Sequence, residues 1–285
     1  MSARQIAKII AATAVTEGAG VTVHRTIGTP ALRNLDPFLM LDHFSSDDPD
    51  DYIAGFPDHP HRGFITLTYM LDGHMLHRDS MGNHGDLKAG GAQWMKAASG
   101  VIHSEMPQQT AGLMRGFQLW INLPGKEKMS EPAYQEFSAT AIPEYNNSGI
   151  RVRVLCGEYQ GVRGPIEDPF TQVQYFDVRL EATAQFRHAL PADLQAFVYV
   201  FEGDARLADS PLPQHSFAVL SGGDAIEAVA GGKGARFILV AGRPLKEPIA
   251  QYGPFVMNTT DEIHQAMADY RDGRLVQKKA AFITA

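Results

Sequence analysis

Two short stretches carry residue types that can hold a metal ion. His59-Pro60-His61 places two imidazoles at i and i+2. His103-Ser104-Glu105 places an imidazole and a carboxylate at the same spacing. In a β-strand, residues i and i+2 point to one face, so each pair can aim at a single point. Pro60 has no N–H to give to a ladder, which puts its strand at an edge or at a strand start. The 41 residues between the pairs leave room for two or three hairpins, so the two strands can lie side by side. Neither pair is specific alone. Together they read as a metal site of His59, His61, His103 and Glu105.

Three neutral imidazoles and one carboxylate bring one negative charge to a divalent cation. Imidazole suits Fe, Ni, Cu and Zn, whereas Mg and Ca prefer oxygen ligands. Four protein ligands close a tetrahedral structural zinc site. The same four on an octahedral ion leave two positions open. Open positions beside a redox metal let dioxygen and an enolate bind together, the logic of non-haem iron oxygenases.

The elements that must position these pairs are strands. The chain has 285 residues, with 27 Gly and 17 Pro spread along it. β-branched or alternating runs cover 21–27, 64–71, 115–121, 150–155, 173–180, 196–201 and 235–240. With turn signals between them, they predict an all-β sandwich or barrel. At about 150 residues per domain, two barrels fit the length. A weak repeat supports duplication. A strand ending in Asp72-Gly73 is matched by one ending in Glu202-Gly203, each read as a hairpin turn, and Gly90-Gly91 is matched by Gly222-Gly223. The polar stretch 124–132 is the expected boundary, giving a metal-binding barrel over 1–132 and a barrel without ligands over 133–285. One helix is predicted near the end. Thr259 and Glu262 form a capping box, and Ile263, Ala266, Met267 and Tyr270 make one apolar face that Gly273 stops.

Seven of the 11 histidines lie between His43 and His103. His74, His77 and His84 fall on the hairpins between the two pairs and read mainly as solvated turn residues, although one of them could line the pocket or support a ligand. His24, His43, His188, His215 and His264 are isolated and receive no role. At the positions of the second half that would align with the ligands there is no His-x-His and no His-x-Glu pair.

Several function classes are excluded. The net charge is −7 with no Lys/Arg run, which argues against direct nucleic-acid binding. The one cysteine, Cys156, cannot form an internal disulfide and fits a reducing compartment. No apolar run approaches the ~20 residues of a membrane span. Lys8 interrupts the apolar stretch 6–15, so no signal peptide is expected and the expected location is the cytoplasm. No phosphate-binding glycine loop and no G-x-S-x-G elbow is present.

At these residues the chain closely resembles the pirins of the cupin superfamily. One matching block is Asn34 to Asp42 followed by His59-Pro60-His61-Arg62-Gly63-Phe64. Another runs from Gln93-Trp94-Met95 to Gly100-Val101-Ile102-His103-Ser104-Glu105. The last is Pro244 to Ile249 and Tyr252 to Thr259. The resemblance implies two cupin β-barrels facing each other, with the C-terminal segment packed on them. It implies one iron(II) per chain held by His59, His61, His103 and Glu105, with Zn, Ni, Mn or Cu as alternatives. It implies a quercetin 2,3-dioxygenase-like activity, as some members have. The expected reaction is ring-opening dioxygenation of flavonol-like enols with dioxygen as co-substrate, and Glu105, a carboxylate at the metal, is the expected catalytic base. The alternative is a metal- or redox-sensing regulator that binds a protein partner. A monomer is expected, with no nucleic-acid or membrane partner. Ile65 stands where cupins often have a glutamate, a change expected to make the pocket less polar, and the proline of the second general motif is replaced near Ala98.

Overall fold

The computed structural model describes residues 2–208, 210–277 and 281–282. All seven expected strand regions are strands. Two of them run much further than their apolar cores: Gln195–Leu207 and Ala225–Gly242. The glycines read as turn signals bend these strands instead of ending them. Gly203 has φ +66°, and a Cβ there would meet Gly234 O at 2.1 Å. The ladder register shifts beside it, between Gly203 and Ala205, so Glu202-Gly203 marks a bulge and not a hairpin turn. Asp72-Gly73 is not a hairpin either. Gly73, with φ +96°, passes the chain from Phe64–Asp72 in one sheet to His74–Asp79 in another.

The chain divides into two units, and a single cut between residues 132 and 133 does not describe them. One unit combines the residues up to Thr13 with 29–37 and 142–244. The other combines 14–28 and 38–141 with the segment from Leu245 onward. Short strands decide this exchange. Gln5–Ala11 pairs with Ser216–Ser221, inside the unit of the late strands. The expected linker 124–132 is no linker: Gly125–Glu127 is a 3-10 turn, and Lys128 beside it is buried.

The late-strand unit is built on a nine-stranded sheet in which Gln195–Leu207 lies between Ser216–Ser221 and Ala225–Gly242. Its core includes Val154, Phe176, Val178, Phe186, Val198 and Phe237, all essentially buried. Alternation along each strand sends these side chains inward.

The other unit has a sheet of eight strands, centred on Phe38–Ser46, Met114–Asn122, Phe64–Asp72 and Ala92–Lys96. It also has a sheet of four, in the order Phe56–His61, Val101–Pro107, His74–Asp79 and His84–Lys88. Phe56–His61 lies at the edge of that sheet, where Pro60 costs no ladder bond. The C-terminal segment is bound into this unit by two buried basic side chains. Arg62 donates to Ser99 O (2.7 Å), Asp269 Oδ2 (2.8 Å) and Leu275 O (3.3 Å). Lys128 Nζ donates to Gly63 O, Asn122 Oδ1 and Val256 O at 2.6–3.0 Å. Gly63 has φ +91°, and a Cβ on it would sit 1.9 Å from Val256 O, so only glycine lets the segment come this close.

The helix is Thr260–Arg271, with the capping box of Thr259 and Glu262 formed as expected. Its buried face differs from the expected one. Ile263 and Ala266 are buried, but Met267 and Tyr270 are exposed. The third buried position is Asp269, which an apolar-periodicity rule passes over and which Arg62 neutralises.

Candidate metal centre

Both flagged pairs lie on adjacent strands of the four-stranded sheet. Val101 pairs with His61, and His103 pairs with His59. The register then shifts, so that Glu105 faces Phe56. On its other side the same strand meets Asp79 and His77, opposite His103 and Glu105. His103 therefore sits between the His-x-His edge strand and His74–Asp79.

The possible ligand atoms of His59, His61 and His103 lie within 4.8 Å of one another. Ring centroids are 4.3 Å apart for His59 and His103, and 4.9 Å for His61 and His103. Glu105 shares a second group of the same tightness with His103 and His77. The expected residues thus fall into two groups that share His103, one with His59 and His61 and one with Glu105 and His77. His61, His77, His103 and Glu105 are buried, while His59 is partly exposed.

The hydrogen-bond pattern suits a cation. His59 Nδ1 lies 2.8 Å from Pro57 O, so that nitrogen carries the proton and Nε2 keeps its lone pair. His61 Nδ1 and His103 Nε2 are buried without a hydrogen-bond partner among the described residues. Gln118 braces Glu105. The Gln118 amide nitrogen donates to Glu105 Oε2 (3.0 Å), and its oxygen accepts from the Thr68 hydroxyl (2.6 Å). The same hydroxyl lies 3.2 Å from Glu105 Oε1. Its one proton goes to the nearer Gln118 oxygen, which leaves Oε1 with lone pairs for a ligand role. These donors, mostly neutral and partly unsatisfied, fit a divalent transition metal of the imidazole-binding kind.

Burial holds His61 well below its ordinary pKa, and the neighbouring His59 lowers it further. Burial does the same to His103, reinforced by His61, His59 and His77. Both rings are neutral at pH 7, as ligands must be. The sign of the stability effect follows. An unfolded histidine takes up a proton below about pH 6.5, while these folded ones do not, so stability is complete above that pH and falls below it. The metal-free protein is expected to lose about 1.4 kcal/mol per pH unit for each such histidine as pH drops from 6.5. Urea unfolding between pH 7.5 and 5.5 measures this, and a flat profile would mean the rings are solvated.

Two sequence expectations change here. Ile65 does not make the site less polar. Thr68 reaches Glu105 and Phe64 packs on His61 at 5.0 Å, so even-numbered residues of that strand face the site and Ile65 faces the opposite way. His77 is not a solvated turn residue. It is buried, with its ring stacked on Tyr134 at 4.7 Å. The signal was present, because His77-Arg78-Asp79 has the same i, i+2 spacing as the two chosen pairs. His74 and His84 do lie towards solvent. His43 is buried against Phe117.

Known proteins can now be set beside this geometry. A family model described as Pirin matches residues 20–121, and one described as Pirin C-terminal cupin domain matches 175–276. A pirin-like protein of Caulobacter vibrioides is 46% identical over 278 residues, covering 96% of this chain and 100% of its own. The chain belongs to the pirin family. Its two domains are accordingly of the cupin type. A crystal structure of quercetin 2,3-dioxygenase from Acinetobacter baumannii is 32% identical, with a TM-score of 0.89 over 96% of this chain and 99% of that one. A bacterial pirin from Escherichia coli, solved in complex with nickel(II), is 19% identical with a TM-score of 0.67 over 83% of this chain and 98% of its own. That likeness is one of fold. Among the described residues, no helix of this pirin-family chain is long and apolar enough to cross a membrane.

Proposed function

We propose that this chain is an iron-dependent dioxygenase that opens the ring of flavonol-like enols. The observation that carries the reading is the His59, His61 and His103 cluster on two paired strands, with Glu105 grouped to the same His103. The likeness to a quercetin 2,3-dioxygenase over nearly the whole chain supports it. His59, His61 and His103 would hold the metal through neutral nitrogens, with Glu105 Oε1 as the anionic ligand. When bound, iron(II) supplies a redox centre at which dioxygen and an enolate can meet.

The chain's own residues do the rest. Glu105 takes the proton of the enol hydroxyl, and Gln118 keeps the carboxylate oriented for this. Trp120, partly exposed and packed edge-on against His61 at 5.2 Å, offers an apolar ring to an aryl substrate. Phe64 lies behind it at 4.3 Å and keeps water from that side.

Oxygen uptake tests the proposal. Protein loaded anaerobically with iron(II) is expected to consume dioxygen in step with flavonol loss. Glu105→Gln is expected to slow turnover by at least about a hundredfold, the usual weight of a positioned base. No uptake by fully loaded protein on a panel of flavonols would overturn the reading. It would favour the alternative, a metal- or redox-sensing protein with a protein partner. Full turnover by a metal-loaded Glu105→Gln variant would remove the base role alone.

A further inference from the structure

We propose that His77 and Asp79 form a proton-fixed relay that locks the tautomer of His103 and so tightens the metal site. The proposal rests on the metal reading above. Its geometry is independent of any substrate.

His103 Nδ1 lies 3.3 Å from His77 Nδ1, in the buried interior. Two imidazole nitrogens at this distance need one proton between them, on one side or the other. If His103 binds a metal through Nε2, its proton must be on Nδ1. His77 Nδ1 must then be the acceptor, which moves the His77 proton to Nε2. That atom is buried with no hydrogen-bond partner among the described residues. Asp79 Oδ2 lies 3.6 Å from it, a few tenths of an ångström beyond a hydrogen bond.

Asp79 is built to stay an anion and to stay in place. Its Oδ1 accepts from Met81 N (2.9 Å) and Asn83 N (3.0 Å), and its Oδ2 from Asn83 Nδ2 (2.8 Å). Its side chain is fully buried. Tyr134 stacks on the His77 ring and stops it from turning. The nearby Asp79 carboxylate favours the His77 proton on Nε2, and that tautomer leaves the His103 Nε2 lone pair free. A ligating histidine commonly gives its second N–H to a carboxylate or carbonyl, which fixes the ring and raises its basicity. Here an imidazole stands between ligand and carboxylate. His77 does not serve as a ligand in this scheme. One His103 ring cannot give both of its nitrogens to one ion, and its Nδ1 is the one turned to His77.

Cobalt(II) is the probe, with the full-length protein and two variants. His77→Gln keeps an acceptor for His103 and a donor for Asp79. His77→Phe keeps the stacked shape and neither polar group. Wild type and His77→Gln are expected to bind cobalt(II) within about threefold of each other, and His77→Phe about ten- to a hundredfold more weakly. In the proton NMR spectrum of the cobalt-loaded protein, the His103 N–H is expected as a shifted, slowly exchanging resonance in wild type and His77→Gln. It is expected to broaden by fast exchange in His77→Phe. Unchanged affinity and resonance in a folded His77→Phe would overturn the relay while leaving the metal site intact. A changed cobalt(II) visible spectrum in His77→Gln and His77→Phe alike would make His77 a ligand and also overturn it. If wild type takes up no cobalt(II), the metal reading itself fails and the relay falls with it.

Discussion

A His103→Ala variant is expected to emerge with less than about a hundredth of the wild-type affinity for iron(II) or cobalt(II), and with no oxygen uptake on flavonols. Loss of a supporting residue around a site already costs about ten- to a hundredfold, and loss of a ligand exceeds that. Among the proposed ligands, His103 is expected to matter most, because it belongs to both groups of candidate donors. Without it, neither group keeps three donors. The fold has less to lose. The His103 backbone keeps its ladder bonds, and the stability cost is that of the cavity left by one buried ring and its contact to His77. Metal content by elemental analysis and near-UV circular dichroism separate the two effects. Equal metal content in wild type and His103→Ala would sink the assignment of the site.

Arg62→Met is expected to cost about 3–5 kcal/mol of stability, the range for breaking a buried ion pair from one side. Arg62 is 1% exposed, and its buried partner Asp269 also accepts from Gln265 Nε2 (2.8 Å). Methionine fills the space but leaves Asp269 charged and buried, and leaves Ser99 O and Leu275 O without their donor. The double variant Arg62→Met/Asp269→Leu is expected to recover part of the loss, since no buried charge then remains. Arg62 also follows His61 directly. A loosened C-terminal segment is therefore expected to weaken metal binding by a lesser factor than His103→Ala. Urea midpoints of the three proteins measure the effect, and a midpoint for Arg62→Met equal to wild type would show that the pair is solvated.

The fold was largely legible in the residues. The β-branched runs, their turn signals and the Thr259–Glu262 box mark the elements because they act locally, through alternation and capping. Glycine was the ambiguous sign. A glycine with positive φ serves a turn, a bulge or a close approach equally well, and Gly203, Gly73 and Gly63 turned out to serve the last two or a crossing between sheets. The unit boundaries were hidden for a related reason. Gln5–Ala11 joins Ser216–Ser221 through backbone hydrogen bonds, which leave no pattern in side-chain type.

By itself, the sequence determined the residue types and the spacing of the donors. Two i, i+2 pairs of His and Glu are enough to specify which side chains can share a face. Only the tertiary structure decided what surrounds them. Pairing the His103 strand with His74–Asp79 on its second side buried His77 and Asp79 beside the site. Packing the sheets together set Thr68 and Gln118 on Glu105. It also placed Arg62 against Asp269 across 207 residues of chain. Spacing along a strand is a local property. The partner of a buried polar group is whatever the other strands bring within about 3 Å, and no local rule contains it.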